Sequence, residues 1–416
     1  MKFLYCLFIL IPVSLSAQNE MLEAIRQDKY AAAGNHHTYI VPEGKISDTK
    51  PPKGYKPFYF SYYGRHGSRY MIGDPDFISS FCDKFNALHD SGLLTDEGEK
   101  LRAWLEWLDK MHDGNMGLLT PGGFQEEKGI AQRCYGRYRR IFRQKDRRNV
   151  RFRSSPILRS MLTGTSFSME LQKHEPRLNF DMYAAERYYY TRWDPNPGVD
   201  RIKQRVGDSL FRERFDSVAF AGRMFTDTEK SREILGDISG TAYDVIHILG
   251  ISKCISDSAD PYEVFSEEEI FAYAVGQNAR TASSFIHSTE TGFYRDTNAG
   301  SHLIKAIVNK ADEAIAGNGI CADLVFGHDS GVAPALSFLH TEGYDSCTPL
   351  SESYISWPAY KHIYMGCNFA FVFYRNRKGD ILVKILENEK ETAIPAVPAF
   401  EGPYYRWSDL RDWCLR

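Results

Sequence analysis

Residues 57–69 read Pro57-Phe58-Tyr59-Phe60-Ser61-Tyr62-Tyr63-Gly64-Arg65-His66-Gly67-Ser68-Arg69. An aromatic run of this length stopped by glycine is a strand pattern, and two guanidinium groups and an imidazole follow at its carboxyl end. The Pro-, Gly- and Lys-rich stretch 41–56 leads into it as a surface arm. Four more stretches carry strand patterns. Asn149–Ser154 alternates and is closed by Ser155-Pro156, which predicts an N-cap and a first-turn proline for the helix that follows. Cys321–Gly327 is a near-continuous apolar run, as in a strand covered on both faces. Asn368–Arg375 and Asp380–Leu386 flank Asn376-Arg377-Lys378-Gly379 and predict a hairpin.

Helical spacing of apolar residues marks Glu97–His112, about Gly123–Arg143, and His302–Ala316, the last stopped by Gly317. Strands alternating with helices predict an α/β fold, a mostly parallel sheet with helices on both faces. Residues 174–260 fit that alternation poorly, being polar, aromatic-rich and helical in composition. They are expected to form an inserted helical cap between two core segments, 18–173 and 261–416.

The chain has 416 residues, 43% of them hydrophobic, enough for a sizeable core. Its 51 Lys plus Arg against 54 Asp plus Glu argue against a histone-like protein, so no nucleic-acid partner is expected. Met1–Ala17 holds one basic residue, an apolar run over 3–13 and a small-residue end, the pattern of a secretory signal peptide. Export to a periplasm or the exterior is expected. The apolar run is shorter than the ~20 residues of a spanning helix, so no membrane anchor is expected after cleavage. Seven cysteines lie beyond this segment, without a CxxC or a Cys/His metal spacing, and no metal or cofactor is expected.

In an open α/β sheet, ligands bind outside the carboxyl ends of the strands. Three such ends supply Arg65, His66 and Arg69, then Arg159 in the first turn of a helix, then His328 and Asp329. Guanidinium forks match phosphate oxygens, and helix N-termini add backbone donors. A neutral histidine can attack the phosphoryl group, and Asp329 can give a proton to the departing alkoxide and later take one from water. Arginines that neutralise the phosphate make a metal unnecessary. Each piece has a plainer reading: a solvated loop at 65–67, a surface helix residue at 159, a loop pair at 328–329. A Ser330–Asp329–His66 triad is weak, because Ser330 lacks the Gly-x-Ser-x-Gly elbow.

In combination these residues resemble the histidine phosphatase superfamily, in its histidine acid phosphatase and phytase branch. The branch signature Arg-His-Gly-x-Arg-x-Pro is met by Arg65, His66, Gly67 and Arg69, with Met71 in place of the proline. Leu119-Thr120-Pro121-Gly122-Gly123, with Arg137-Tyr138 beyond it, is similar to a second block. Ser154-Ser155-Pro156-Ile157-Leu158-Arg159-Ser160 is similar to a third, and His328-Asp329 is the fourth. The resemblance, over about residues 59–386, implies a phosphomonoester hydrolase in which His66 becomes phosphohistidine. Arg65, Arg69, Arg159 and His328 would hold phosphoryl oxygens, and Asp329 would be the proton donor.

Ten arginines between Arg133 and Arg159 face a single acid, Asp146. They are either a solvated helix face or a positive rim that attracts a polyanion such as an inositol polyphosphate. Tyr183, Tyr188, Tyr189, Tyr190 and Trp193 in the expected cap serve either packing or the wall of a cleft. A small phosphorylated substrate is expected. Inositol polyphosphates are the leading class, with sugar phosphates and a catalytically silent phosphate-binding protein as alternatives.

Overall fold

In the computed structural model, β1 (Lys56–Arg65) runs through the middle of an eight-stranded sheet, its last eight residues buried. Residues 20–44, 46, 48–74, 76–188, 197–291 and 300–416 are described. The expected signal segment lies outside them, as do Tyr189, Tyr190 and Trp193. The side chains of β1 alternate between two covered faces. Phe60 and Tyr62 meet Tyr138, Phe142 and Phe167 from helices Pro121–Phe142 and Leu158–His174, while Tyr59 and Tyr63 meet Phe373 and Phe369. Full burial of each such ring contributes about 1.5–3 kcal/mol, which is why an aromatic-rich run becomes a central strand.

The other strands are β2 (Asn149–Ser154), β3 (Asn179–Ala184), β4 (Ile320–Gly327), β5 (Asn368–Arg375), β6 (Ile381–Glu387), β7 (Lys390–Thr392) and β8 (Tyr404–Arg406). Their order is β3-β2-β4-β1-β5-β6-β7, with β8 on β6. β1, β4, β2 and β3 pair in parallel, but β5 runs antiparallel to β1, and β6, β7 and β8 continue antiparallel. The sheet is therefore mixed, which corrects the mostly parallel arrangement expected from the sequence. The hairpin was legible, yet a fully buried apolar strand reads the same whether its neighbour is parallel or antiparallel. What matters for function is the parallel half, where register sets Arg65 beside Gly327 and Ser154 beside Phe326, so three strands end at one level.

The three helices with clear periodicity span Asp96–His112, Pro121–Phe142 and Gly300–Ala316. Residues 174–260 contribute β3 to the edge of the sheet and then helices Pro197–Arg212, Ser217–Met224, Thr228–Leu235, Ile238–Leu249 and Ser252–Ile255. Of the aromatic group there, Tyr183 is 50% exposed, and Arg187 lies over both Tyr183 and Tyr188. Among the described residues the cysteines are unbridged, and all but Cys347 are buried.

Helix Leu158–His174 begins later than Ser155-Pro156 predicted, with Ile157 at its N-cap and no side-chain cap bond. Ser155 instead adds a rung to the sheet, its N–H donating to the Phe326 carbonyl at 3.0 Å. Arg159 stays in the first turn. The helix lies so close to β2 and β4 that a Cβ on Gly164 would overlap the rings of Phe152 and Phe326, and this contact fixes where Arg159 starts.

Candidate active site

The loop after β1 is held by the start of helix Pro121–Phe142. Thr120 caps that helix by accepting from the Gly123 N–H at 3.2 Å, and its hydroxyl donates to the Ser68 carbonyl at 3.0 Å. One turn on, Glu126 accepts from the Ser68 N–H at 2.7 Å and the Ser68 hydroxyl at 2.6 Å. Gly67 sits so near that a Cβ would fall 2.6 Å from the Gly123 carbonyl oxygen. The Leu119–Gly123 block therefore shapes the loop that carries Arg65, His66 and Arg69.

All six residues singled out from the sequence come together at this edge. Arg65 is buried, with Nη1 donating to the carbonyls of Asn35 and Ile363, both at 2.7 Å, and Nη2 3.2 Å from Asp329 Oδ2. The rings of His66 and His328 stand edge to face, their centroids 5.5 Å apart. Ser155 Oγ lies 3.1 Å from His328 Nε2, so the serine expected to cap a helix contacts the site instead. Arg65 and Arg159 stand close enough to His66 and Arg69 to weigh on their charge.

Those charges set the protonation states. Burial, then Arg65, Arg159, Arg69 and His328, hold the His66 imidazole well below its usual pKa, so it is neutral. His66 Nδ1 lies 3.0 Å from the Gly67 carbonyl, which only accepts. The proton is therefore on Nδ1, and Nε2 carries the lone pair. Burial and Arg159 bring His328 down to about 4. Burial pushes the Asp329 carboxyl up, but Arg65, the hydrogen bond from Asn35, Arg69 and His328 outweigh it and hold the group below the usual carboxylate range.

Three guanidinium groups crowd this space. Burial, then Arg65 and Arg159, lower Arg69 to about 9. The Nε atoms of Arg65 and Arg69 are buried without a hydrogen-bond partner, an arrangement that an anion would complete. Two helices, Leu158–His174 and Asp329–Leu339, begin here without side-chain caps, adding backbone N–H groups of the kind that bind phosphate. Among the described residues no cluster of His, Cys, Asp or Glu is arranged to hold a metal ion.

No protein-family model and no curated protein matches the sequence. Solved structures do match. The multiple inositol polyphosphate phosphatase of Bifidobacterium longum, solved with inositol hexasulfate, superposes with a TM-score of 0.74 at 16% identity, over 92% of this chain and 97% of that one. The phytase of D. castellii gives 0.64 at 13% identity, over 92% and 84%. The phytase of Citrobacter braakii gives 0.54 at 12% identity, over 86% and 97%. This is the histidine acid phosphatase and phytase fold.

On the phytase fold the departure at Met71 has a physical counterpart. The Met71 N–H, which a proline would lack, donates to His112 Nε2 at 2.9 Å, and His112 Nδ1 lies 2.7 Å from the Leu108 carbonyl. A hydrogen bond to the end of helix Asp96–His112 thus restrains the loop where a fixed ring would.

Sequence reading missed Asn35. It lies in the 3₁₀ segment Lys29–His36, whose chain returns to the site so that Asn35 Nδ2 donates to Asp329 Oδ2 at 2.9 Å. Its partner lies 294 residues away, and a short 3₁₀ turn has no apolar period to announce it.

The arginine run does not form a rim around the site. Arg133 pairs with Glu389, Arg137 with Asp48, Arg151 with Asp323 and Glu313, and Arg153 with Asp181. Arg147 is buried, donating to the Ala314 carbonyl at 2.7 Å. Arg140 and Arg143 line a groove at the other end of the sheet, whereas Arg159 of the run stands near His66, Arg69 and His328.

Proposed function

We propose that the protein is an exported phosphomonoester hydrolase that works through a phosphohistidine on His66, with inositol polyphosphates as its preferred substrates. The observation that carries this reading is a neutral His66, its lone pair on Nε2, set among three arginines and two helix N-termini. Arg65, Arg69, Arg159 and His328 hold the phosphoryl oxygens. His66 Nε2 attacks phosphorus, the ester P–O bond breaks, and Asp329 gives its proton to the departing alkoxide. Water then attacks the phosphohistidine as Asp329 takes back a proton, and inorganic phosphate leaves. The substrate class is supported by the fold shared with a multiple inositol polyphosphate phosphatase and with phytases. Export rests on the Met1–Ala17 pattern. No single helix among the described residues is long and apolar enough to cross a membrane.

The electrostatics fix the sense of the pH dependence. The free enzyme holds Asp329 below the usual carboxylate range, so its proton-donating form is lost as pH rises. His66 and His328 are also depressed, so the nucleophile survives acidification. The optimum is expected below neutrality, and a peak in the alkaline range would remove Asp329 from its role. Because the Asn35 amide stabilises the ionised carboxyl, Asn35→Ala is expected to move the falling limb of kcat/KM to higher pH. An unmoved limb with a lowered plateau would reduce Asn35 to a packing residue.

The direct test is phosphate release at acid pH from a panel of inositol polyphosphates and sugar phosphates. Faster release from the inositol series is expected. Equal or faster release from sugar phosphates would reassign the substrate, and no release from any ester would leave a phosphate-binding protein.

A further inference from the structure

Arg140 and Arg143 of the Arg133–Arg159 run gather with basic residues from two other elements at the end of the sheet remote from His66. Lys53 and Lys56 stand where β1 begins, Arg140 and Arg143 at the end of helix Pro121–Phe142, and Arg377 and Lys378 on the β5–β6 turn. Together they line a groove of about 960 Å3, floored by Phe58, with Asp146 its one acidic residue. Arg375 lies over the Phe58 ring at 4.4 Å, and Arg147 over the same ring at 5.4 Å. The Arg375 Nε is buried without a hydrogen-bond partner.

Register separates this groove from the catalytic edge. Lys56 pairs with Arg375 at one end of β1, and Arg65 stands at the other, roughly 30 Å away at strand rise. One bound molecule of ordinary size cannot touch both.

Most of these charges are also unpaired. Among the described residues Arg143 reaches Glu175 at 3.5 Å, while Lys53, Lys56, Arg140, Arg377 and Lys378 form no ion pair. Two of these residues have a plainer use: Arg140 and Arg143 sit at a helix C-terminus, where cations are favoured by the dipole. That explanation does not reach the lysines of the arm or the basic turn, which come from separate elements. Cations from three elements converge on one concavity, in a chain whose net charge is −3, and such a local positive field attracts anions.

We propose that this groove is a second anion site, which takes a compact molecule carrying several phosphate or sulfate groups. Its volume falls in the range of small-molecule sites, about 300–1,000 Å3. Its mixed guanidinium and ammonium lining suits oxyanions presented on more than one side. The site does not depend on the catalytic reading, because none of its residues touches that centre.

Calorimetric titration of the full chain with inositol hexasulfate tests it, on wild type and on Arg140→Glu/Arg377→Glu. Both positions are exposed, and circular dichroism checks the fold. Two bound molecules are expected on wild type and one on the variant, the groove's affinity falling by on the order of tenfold or more. If the catalytic centre binds nothing, wild type takes one molecule and the variant none, which keeps the groove and overturns the other reading. The same number bound with unchanged affinity on both proteins would overturn the groove.

Discussion

His66→Ala is expected to lower phosphate release by ~10⁴-fold or more, as loss of a covalent nucleophile does in other enzymes, while phosphate binding survives. The two effects part because the imidazole and the anion clamp are separate groups. Arg65 is held by two carbonyls and Asp329, and Arg69 donates to the Tyr70 carbonyl, none of which requires His66. The substitution also removes a neutral ring from among three positive charges, so it leaves no buried group unpaired by charge. Acid quenching after mixing with a labelled ester should find label on the wild-type protein and none on the variant. A variant within about tenfold of wild type in phosphate release would exclude the histidine as nucleophile.

The readable parts of this site are those whose local chemistry is unusual. A fully buried aromatic strand ending in Arg65-His66 could be placed from sequence because burial on both faces and abrupt charge seldom coexist. His328-Asp329 followed the same rule at the end of β4, whereas Arg159 was placed by the helix start after the alternating strand β2. What escaped were features whose partner lies far along the chain. The antiparallel pairing of β5 with β1, the edge strand β3 with its largely exposed pattern, and Asn35 against Asp329 all depend on tertiary contacts that no local period encodes. The arginine run shows the limit most clearly. Its density was visible at once, but Glu389, Asp323, Asp48 and Asp181, which neutralise much of it, come from other elements of the fold.

Asp329→Asn should slow phosphate release from inositol phosphates by ~10²–10⁴-fold, the usual range for loss of a general acid. The size of the loss should depend on the leaving group. An inositol alkoxide is too basic to depart without a proton, whereas nitrophenolate leaves unaided. With p-nitrophenyl phosphate the variant is therefore expected to release the first equivalent of nitrophenol within about tenfold of the wild-type rate. It should then stall, because the same carboxylate is needed to deprotonate the water that attacks the phosphohistidine. A burst followed by slow turnover, with labelled protein accumulating, is the expected trace. Binding should change as well. Asp329 Oδ2 lies 3.2 Å from Arg65 Nη2, so removing its charge leaves the guanidinium cluster more positive and lowers KM along with kcat. Equal slowing of both esters without a burst would place the proton donor elsewhere and leave Asp329 as a holder of Arg65.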